Sequence, residues 1–255
     1  SGSGGDELFG GYPWRYLRSL NKNSATPFTD SYYNFWQRLV PEQSFNDLLS
    51  PVASDLGEFS ARDIFASVFP SRDAGRRSEE QQVSDCLYFE ASTFLEGLLI
   101  VEDKLSMSHS LETRLPFLDN DLVDFVTKVP TRLKVDLKNF PEPIDENNST
   151  EKHRSFYSSE NGKILLRLVA KKLLGQEAAK RKKQGFSAPD ASWFKGESID
   201  LVKRKVLNPT SPLYDFVDYK TAVSLVEEHL SGKRNRRLLI WSLLNLDEFC
   251  GQYLT

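Results

Sequence analysis

Several residue types that would indicate particular classes of protein are scarce in these 255 residues. Two cysteines cannot form a disulfide framework, and the three histidines show no metal-ligand spacing. The longest uninterrupted apolar runs are only a few residues, whereas a helix that spans a bilayer needs roughly 20. We therefore expect no membrane span and, because no signal segment opens the chain, a cytoplasmic location.

The charge balance excludes an overall basic nucleic-acid-binding protein. Against 36 Asp and Glu, 33 Lys and Arg leave a net charge of -3. The hydrophobic content of 39%, with 17 Phe, 9 Tyr and 4 Trp, suffices for a full core and excludes a disordered chain. The only methionine is Met107 and the chain opens inside a glycine-rich run, so we expect a part of a longer protein.

Apolar residues recur at three- and four-residue steps in several segments, which predicts helices. The strongest stripe runs through 81–107, with a break expected near Gly97. Similar spacing predicts helices over 29–40 and 219–230 and over 235–250, the last apolar nearly all round and therefore expected to be buried. No convincing alternating strand is found, so the chain is predicted to be mainly α.

The remaining segments are predicted from their helix-breaking residues. Prolines and glycines divide 42–80 into short helices and loops. Residues 130–160, rich in Pro, Asn and Ser with no amphipathic period, are predicted to form a surface loop. A helix that follows Gly162 is expected to end at Gly175. Cys86 and Cys250 fall on predicted helices and are expected to pack in the core.

The opening run places five glycines in the first eleven residues, around Asp6 and Glu7. It matches neither G-x-x-x-x-G-K-[ST] nor the dinucleotide fingerprint, which requires glycine where Glu7 stands. Glycines let backbone N–H groups approach an anion, and a neighbouring carboxylate can hold a Mg²⁺ ion that bridges phosphate oxygens. The spacing alone fits an ordinary glycine-rich turn equally well.

Four blocks of sequence, in the same order, resemble the asparagine synthetase family. Ser1–Tyr12 resembles the family loop SGxGxDExFGGY. Asp103–Met107 and Ser110–Asp119 are similar to the segment D-R-x-S-M…S-L-E-x-R-x-P-F-L-D. Gly162–Arg167 and Arg181–Pro189 are similar to G-K-x-x-L-R and R-K-x-G-F-x-x-P.

The resemblance implies that residues 1–255 are the C-terminal, mainly helical part of an α/β adenine nucleotide α-hydrolase-like (PP-loop) domain. The implied enzyme is a carbon–nitrogen ligase of amino-acid biosynthesis, which requires ATP and Mg²⁺. It adenylates the side-chain carboxylate of aspartate, releases pyrophosphate, and amidates the acyl-adenylate with glutamine-derived ammonia to give asparagine and AMP. An N-terminal cysteine glutaminase domain and an SGGxDS loop are expected upstream, the segment alone is expected to be inactive, and a homodimer is compatible with this interpretation.

The resemblance also implies roles for individual residues. Residues expected to bind ATP and pyrophosphate are Ser1, Gly2, Ser3, Gly4, Gly5 and Asp6, with residues 1–12 forming the loop and Asp6 also holding Mg²⁺. Residues expected to act in catalysis are Lys183, which faces the α-phosphate, and Glu96 and Asp103, which lie near the acyl-adenylate. Residues expected to form the active-site wall are Glu7, Glu112 and Arg114.

Plainer interpretations stay open for several of these residues. Lys183 ends a segment, 163–183, with eight Lys and Arg and one acid, which is typical of a solvated face. Glu96 and Asp103, seven residues apart, also fit such a face, and Glu112 with Arg114 fits a structural ion pair.

The sequence departs from the family pattern at two positions. Ser3 stands where many members carry Glu or Asp, and Val101 where related bacterial sequences often have lysine. Two alternatives therefore remain: a related amidotransferase or cyclase that acts on a sugar acid or a peptide side chain, and a non-catalytic helical domain derived from the family.

Overall fold

The computed structural model describes residues 1–20, 27–37, 39–69, 77–138, 161–181, 194, 196 and 198–254. Within these ranges the regular elements are helices and no strand occurs, which confirms the predicted mainly α character. The α-helices are α1 (Gly5–Phe9), α2 (Pro13–Ser19), α3 (Phe28–Trp36), α4 (Glu42–Leu48), α5 (Ala53–Leu56), α6 (Ala61–Ser67), α7 (Glu79–Phe89), α8 (Leu95–Ser108), α9 (Asn120–Lys128), α10 (Ile164–Leu174), α11 (Gln176–Ala179), α12 (Ile199–Lys205), α13 (Tyr219–Leu230) and α14 (Arg237–Tyr253).

The chain divides into two compact units. The first comprises Ser1–Phe35 and Ala61–Gln184, and the second comprises Trp36–Ser60 and Gly185–Thr255. No helix in the described part of the chain is both long enough and apolar enough to cross a membrane.

Aromatic rings form a core in the first unit. Tyr32 of α3 is fully buried, and its ring centroid lies 5.5 Å from that of Phe89 on α7. Phe65 of α6 lies 4.6 Å from Phe89, and Phe69 stacks on Phe89 at 5.5 Å. Each such pair adds about 0.5–1.5 kcal/mol beyond its burial of apolar area. The aromatic residues spaced by threes and fours on α3 thus join α6 and α7.

A long helical segment runs from α7 through a π-helical turn, Glu90–Phe94, into α8. Ser78 and Gln81 form a capping box that fixes its start. The expected break near Gly97 is wrong: Gly97 lies inside α8 with open space beside it, where a helix tolerates glycine at a cost of about 1 kcal/mol. The irregularity instead lies at Glu90, whose side chain is fully buried.

The second unit packs α4, α12, α13 and α14 around a separate apolar core. Its fully buried side chains include Val202, Val206, Leu213, Val226 and Ile240. The expectation that the last helix is buried all round is wrong, since Trp241 is 55% and Phe249 53% exposed. Only the stripe that contains Leu239, Ile240, Leu243, Asp247 and Cys250 faces inward.

Other predictions from the sequence have mixed outcomes. The helix after Gly162 ends before Gly175, which adopts a positive φ of 86°, and both cysteines are buried, as expected. Most of the predicted loop 130–160 lies outside the described residues, and at its start Lys134 and Val135 are buried.

Candidate active site

Glycines determine the path of the N-terminal loop. Gly4 and Gly10, at the two ends of α1, have φ values of +87° and +73°, which residues with a Cβ rarely adopt. A Cβ on Gly4 would lie 2.4 Å from the side chain of Leu118, and one on Gly10 would lie 2.3 Å from that of Val135. The loop therefore packs directly against residues far along the chain.

The segment Gly162–Arg167, which we call the G-K block, contacts this loop. The backbone N–H of Lys163 donates to the carbonyl of Phe9 at 3.1 Å, and that of Ile164 donates to the carbonyl of Lys134 at 3.1 Å. A Cβ on Gly162 would lie 2.2 Å from the carbonyl oxygen of Gly10. Two of the family-like blocks are therefore in backbone contact.

Gly162→Ala is expected to lower the free energy of unfolding by about 1–3 kcal/mol, because the backbone of Gly10 must move to admit the methyl group. The matched control is Gly97→Ala, which has open space and is expected to stabilise α8 by up to about 1 kcal/mol. Urea unfolding of both variants measures the difference. A Gly162→Ala midpoint equal to that of wild type would contradict the close contact.

Asp6 forms the charged centre of the loop. Its Oδ1 forms an ion pair with Nζ of Lys163 at 2.9 Å, and the side chains of Asp6 and Lys163 are 25% and 24% exposed. Gly11 leaves room for the carboxylate, since a Cβ there would lie 1.7 Å from Oδ1. The arrangement places one carboxylate and one ammonium beside the glycine loop.

Glu7 lies inside the protein, with 2% of its surface exposed. Tyr12 donates its hydroxyl to Oε1 of Glu7 at 2.9 Å, and burial, together with Asp6 and Glu7, raises the pKa of Tyr12 well above its usual value. Glu7, which was expected to form part of the active-site wall, is a buried residue of α1 that binds Tyr12 at the end of the N-terminal loop.

Ser1 and Ser3 connect the loop to two other segments. The amino nitrogen of Ser1 donates to the carbonyl of Arg114 at 2.8 Å, and the hydroxyls of Ser1 and Ser3 lie 3.1 Å apart. The Ser3 hydroxyl donates to Oε2 of Glu102 on α8 at 2.5 Å. Hydrogen bonds from Ser1 and Ser3 lower the pKa of the Glu102 carboxyl.

The other predicted site residues are less closely connected. Glu112 and Arg114 form an ion pair at 2.9 Å with side chains 70% and 81% exposed, an arrangement worth at most about 1 kcal/mol. Glu96 and Asp103 are exposed on α8. Lys183 lies outside the described residues, so its role stays a prediction.

Lys163 and Glu102 contact the loop but are not among the site residues predicted from the sequence. The sequence feature that could have indicated Lys163 is its place in the G-K block, and the feature that could have indicated Glu102 is its position next to Asp103. Lys134 is a further cation near the loop, and burial lowers its pKa to about 8.

The donor set at the loop fits a Mg²⁺ ion that is shared with a nucleotide. Mg²⁺ is usually held by one or two carboxylates together with substrate phosphate oxygens. Within the described ranges no group of three or more His, Cys, Asp or Glu side chains could hold a metal by itself. Asp6 is a carboxylate of the kind that such a shared arrangement uses.

The chain resembles known proteins along almost its whole length. The asparagine synthase family model matches residues 1–250. Asparagine synthetase [glutamine-hydrolyzing] 1 of Bacillus subtilis (strain 168) is 26% identical over 96% of this chain, and the match covers 38% of that relative. Asparagine synthetase [glutamine-hydrolyzing] 3 of the same organism is 29% identical over 53% of the chain and 21% of its own length.

Another relative, matched over a shorter part of the chain, carries a different name. Amidase chyE of Penicillium rubens is 29% identical over 49% of this chain and 16% of its own length. No solved structure matches the chain significantly. The chain thus spans less than two-fifths of the length of the relatives described, and the family model matches nearly all of it. The chain belongs to the asparagine synthase family.

Proposed function

We propose that the protein encoded by the complete gene is an ATP-dependent carbon–nitrogen ligase that converts aspartate to asparagine with glutamine-derived ammonia. The observation that carries this proposal is the Asp6–Lys163 ion pair, 2.9 Å long, on a glycine loop in backbone contact with Gly162–Arg167. Pyrophosphate is a highly charged leaving group, and a carboxylate that holds Mg²⁺, backbone N–H groups and a nearby cation suit it.

The proposed reaction has two steps. A carboxylate oxygen of aspartate attacks the α-phosphorus of ATP, and the bond to pyrophosphate breaks. Ammonia then attacks the acyl carbon, and AMP leaves with the electron pair of the broken carbon–oxygen bond. Ser1 to Gly5 line the phosphates, Asp6 holds Mg²⁺, which supplies positive charge to the phosphate oxygens when bound, and Lys183 stabilises charge at the phosphorus.

We also propose a place for residues 1–255 in the whole protein and a location for that protein in the cell. Residues 1–255 form the C-terminal part of the synthetase domain, with 1–12 as the pyrophosphate and Mg²⁺ loop. The relatives named as glutamine-hydrolyzing synthetases support a glutaminase domain elsewhere in the whole protein, and the enzyme works in the cytoplasm without a nucleic-acid or membrane partner. Glu96 and Asp103 act in catalysis near the acyl-adenylate, and Glu7, Glu112 and Arg114 belong to the active-site wall.

A second candidate is a related amidotransferase that uses another carboxylate. The contact of Ser3 with Glu102 supports it, because the loop carries a hydroxyl where many family members carry a carboxylate. Steady-state release of pyrophosphate with aspartate, compared with a panel of sugar acids and peptide carboxylates, separates the two candidates. Release that depends on aspartate alone supports asparagine synthesis.

Asp6→Asn is expected to raise the Mg²⁺ concentration for half-maximal pyrophosphate release about tenfold, because a neutral amide replaces the proposed carboxylate ligand. The measurement is a Mg²⁺ titration of the complete protein. Asp124→Asn, on the exposed side of α9, is the matched control and should leave the titration unchanged. Superimposable titrations for wild type and Asp6→Asn would exclude Asp6 as the metal ligand.

A further inference from the structure

Glu102 is a carboxylate that α8 places against the glycine loop. Its Oε2 accepts a hydrogen bond from the Ser3 hydroxyl at 2.5 Å, within the short range typical of a hydroxyl bound to an ionised carboxylate. The Ser1 hydroxyl lies 3.1 Å from that of Ser3, so two hydroxyls and one carboxylate form a connected group. The side chain of Glu102 is half-buried, which limits the number of water molecules that compete for it.

Glu102 has different neighbours from the other acidic residues near the loop. Asp6 pairs with Lys163, and Glu112 pairs with Arg114. In the described part of the chain, no Lys, Arg or His side chain forms an ion pair with Glu102. Hydrogen bonds from the hydroxyls of Ser1 and Ser3 lower its pKa, and the charge of the Ser1 amino group acts in the same direction. A carboxylate has about four lone-pair positions, and two hydroxyl donors leave capacity for a further N–H donor.

Among the reactants and products of the proposed reaction, the attacking amine is the N–H donor that a carboxylate could accept from. Pyrophosphate and AMP are anions and are repelled by a carboxylate, whereas the amine becomes positively charged as it attacks the acyl carbon. An acceptor for its proton must therefore lie at the acyl end of the site. A hydroxyl such as Ser3 cannot be that base, but it can hold a carboxylate in position.

We propose that Glu102, positioned by Ser3, receives the attacking amine and accepts its proton. This inference rests on the proposed function. The nitrogen lone pair forms the carbon–nitrogen bond, and a proton passes from nitrogen to the Glu102 carboxylate. The carbon–oxygen bond to AMP then breaks with its electron pair on the phosphate oxygen, and Glu102 releases the proton to solvent.

Glu102→Gln tests the role because glutamine keeps the size of the side chain and an oxygen that accepts from Ser3, but cannot take a proton. In the complete protein, acceptor-dependent exchange of pyrophosphate into ATP measures adenylation, and amide formation with ammonium chloride measures the second step. We expect exchange to be unchanged and amide formation to fall by about 10², the lower range for loss of a general base. Glu177→Gln, an exposed change of the same type on α11, should affect neither rate.

Ser3→Ala provides a second readout that a purely structural role would not produce. Hydrogen bonds from Ser1 and Ser3 lower the pKa of Glu102, so loss of the Ser3 hydroxyl raises that pKa. The acidic limb of the amide-formation profile should therefore move to higher pH, by up to about one unit.

The outcomes separate this inference from the proposed function. Equal losses of exchange and amide formation in Glu102→Gln, or no loss of either, would overturn the role of Glu102. A wild-type protein that shows no exchange with any acid would overturn the proposed function itself.

Discussion

Glu90→Ala is expected to lower the free energy of unfolding by about 3–5 kcal/mol, the cost of removing one partner from a buried ion pair. Oε1 of Glu90 lies 3.5 Å from Nη1 of Arg15, and its two oxygens accept from the hydroxyls of Tyr16 at 3.1 Å and Tyr32 at 3.4 Å. Glu90, Tyr16 and Tyr32 are fully buried, and Arg15 is 8% exposed. Alanine would leave a cavity and deprive a buried guanidinium and two buried hydroxyls of an acceptor.

Glu90→Gln is the control, since it keeps an acceptor for the tyrosines but does not titrate. Burial raises the pKa of Glu90 from 4.5 to about 7, although Arg15 and Tyr16 act in the opposite direction. A group whose pKa is higher in the folded state contributes stability that is complete below pH 4.5 and is lost as the pH rises to about 7. The contribution is on the order of 3 kcal/mol.

Urea unfolding at pH 4.5 and pH 8 measures both effects. Wild type should lose stability between these pH values through this group, and Glu90→Gln should lose less. An alanine variant as stable as wild type would contradict the ion-pair account, and one as stable as the glutamine variant would contradict the need for an acceptor at this position. Parallel pH dependences of wild type and Glu90→Gln would contradict the raised pKa.

Lys183→Ala is expected to lower turnover by about 10²–10³, the effect of losing one preorganised group that stabilises transition-state charge. The expectation follows from the R-K-x-G-F-x-x-P block, in which Lys183 matches the lysine that faces the α-phosphate. Steady-state release of pyrophosphate by the complete protein is the measurement. A matched control is available in the same basic run, because Lys182→Ala removes the same charge one residue away.

The comparison of the two lysines distinguishes a specific role from a general one. Equal losses in Lys182→Ala and Lys183→Ala would indicate a basic face that attracts anions without selecting one residue. Wild-type turnover in Lys183→Ala would exclude the proposed role. A small loss in Lys182→Ala with a large loss in Lys183→Ala is the expected result.

The apolar stripe predicted over 81–107 is buried only in its first part, since Leu98, Val101 and Leu105 are exposed on α8. Val83 and Leu87 follow the stripe and are buried, and so the helix they lie on could be predicted from the sequence. The π turn at Glu90 could not, because it contains no proline or glycine and because an acid is seldom fully buried. The exposure of Trp241 also escaped prediction, since apolar composition does not determine how much of a helix surface the rest of the chain covers.

The candidate site was predictable to the extent that short blocks of sequence carry it. Residues 1–12, through their resemblance to the family loop, predict a phosphate loop, and the G-K block contributes only to the resemblance. The partners of Asp6 and Ser3 were not predictable, because Glu102 lies 99 residues from Ser3 and no local pattern joins them. Backbone contacts such as that of Gly162 with Gly10 depend on the tertiary fold in the same way.

The π turn has a consequence for how the helical segment 79–108 can change in length. A π turn accommodates one residue more than an α-helical turn, and successive residues of an α-helix are rotated by about 100°. Loss of one residue at this turn would therefore give an α-helical turn and leave the two flanking helices in phase. Phe89 could keep its place in the aromatic core while Glu102 kept its direction toward Ser3. The packing of Phe89 and the contact of Glu102 with Ser3 could thus change independently of each other. A change of length within α8, by contrast, would turn Glu102 away from the loop.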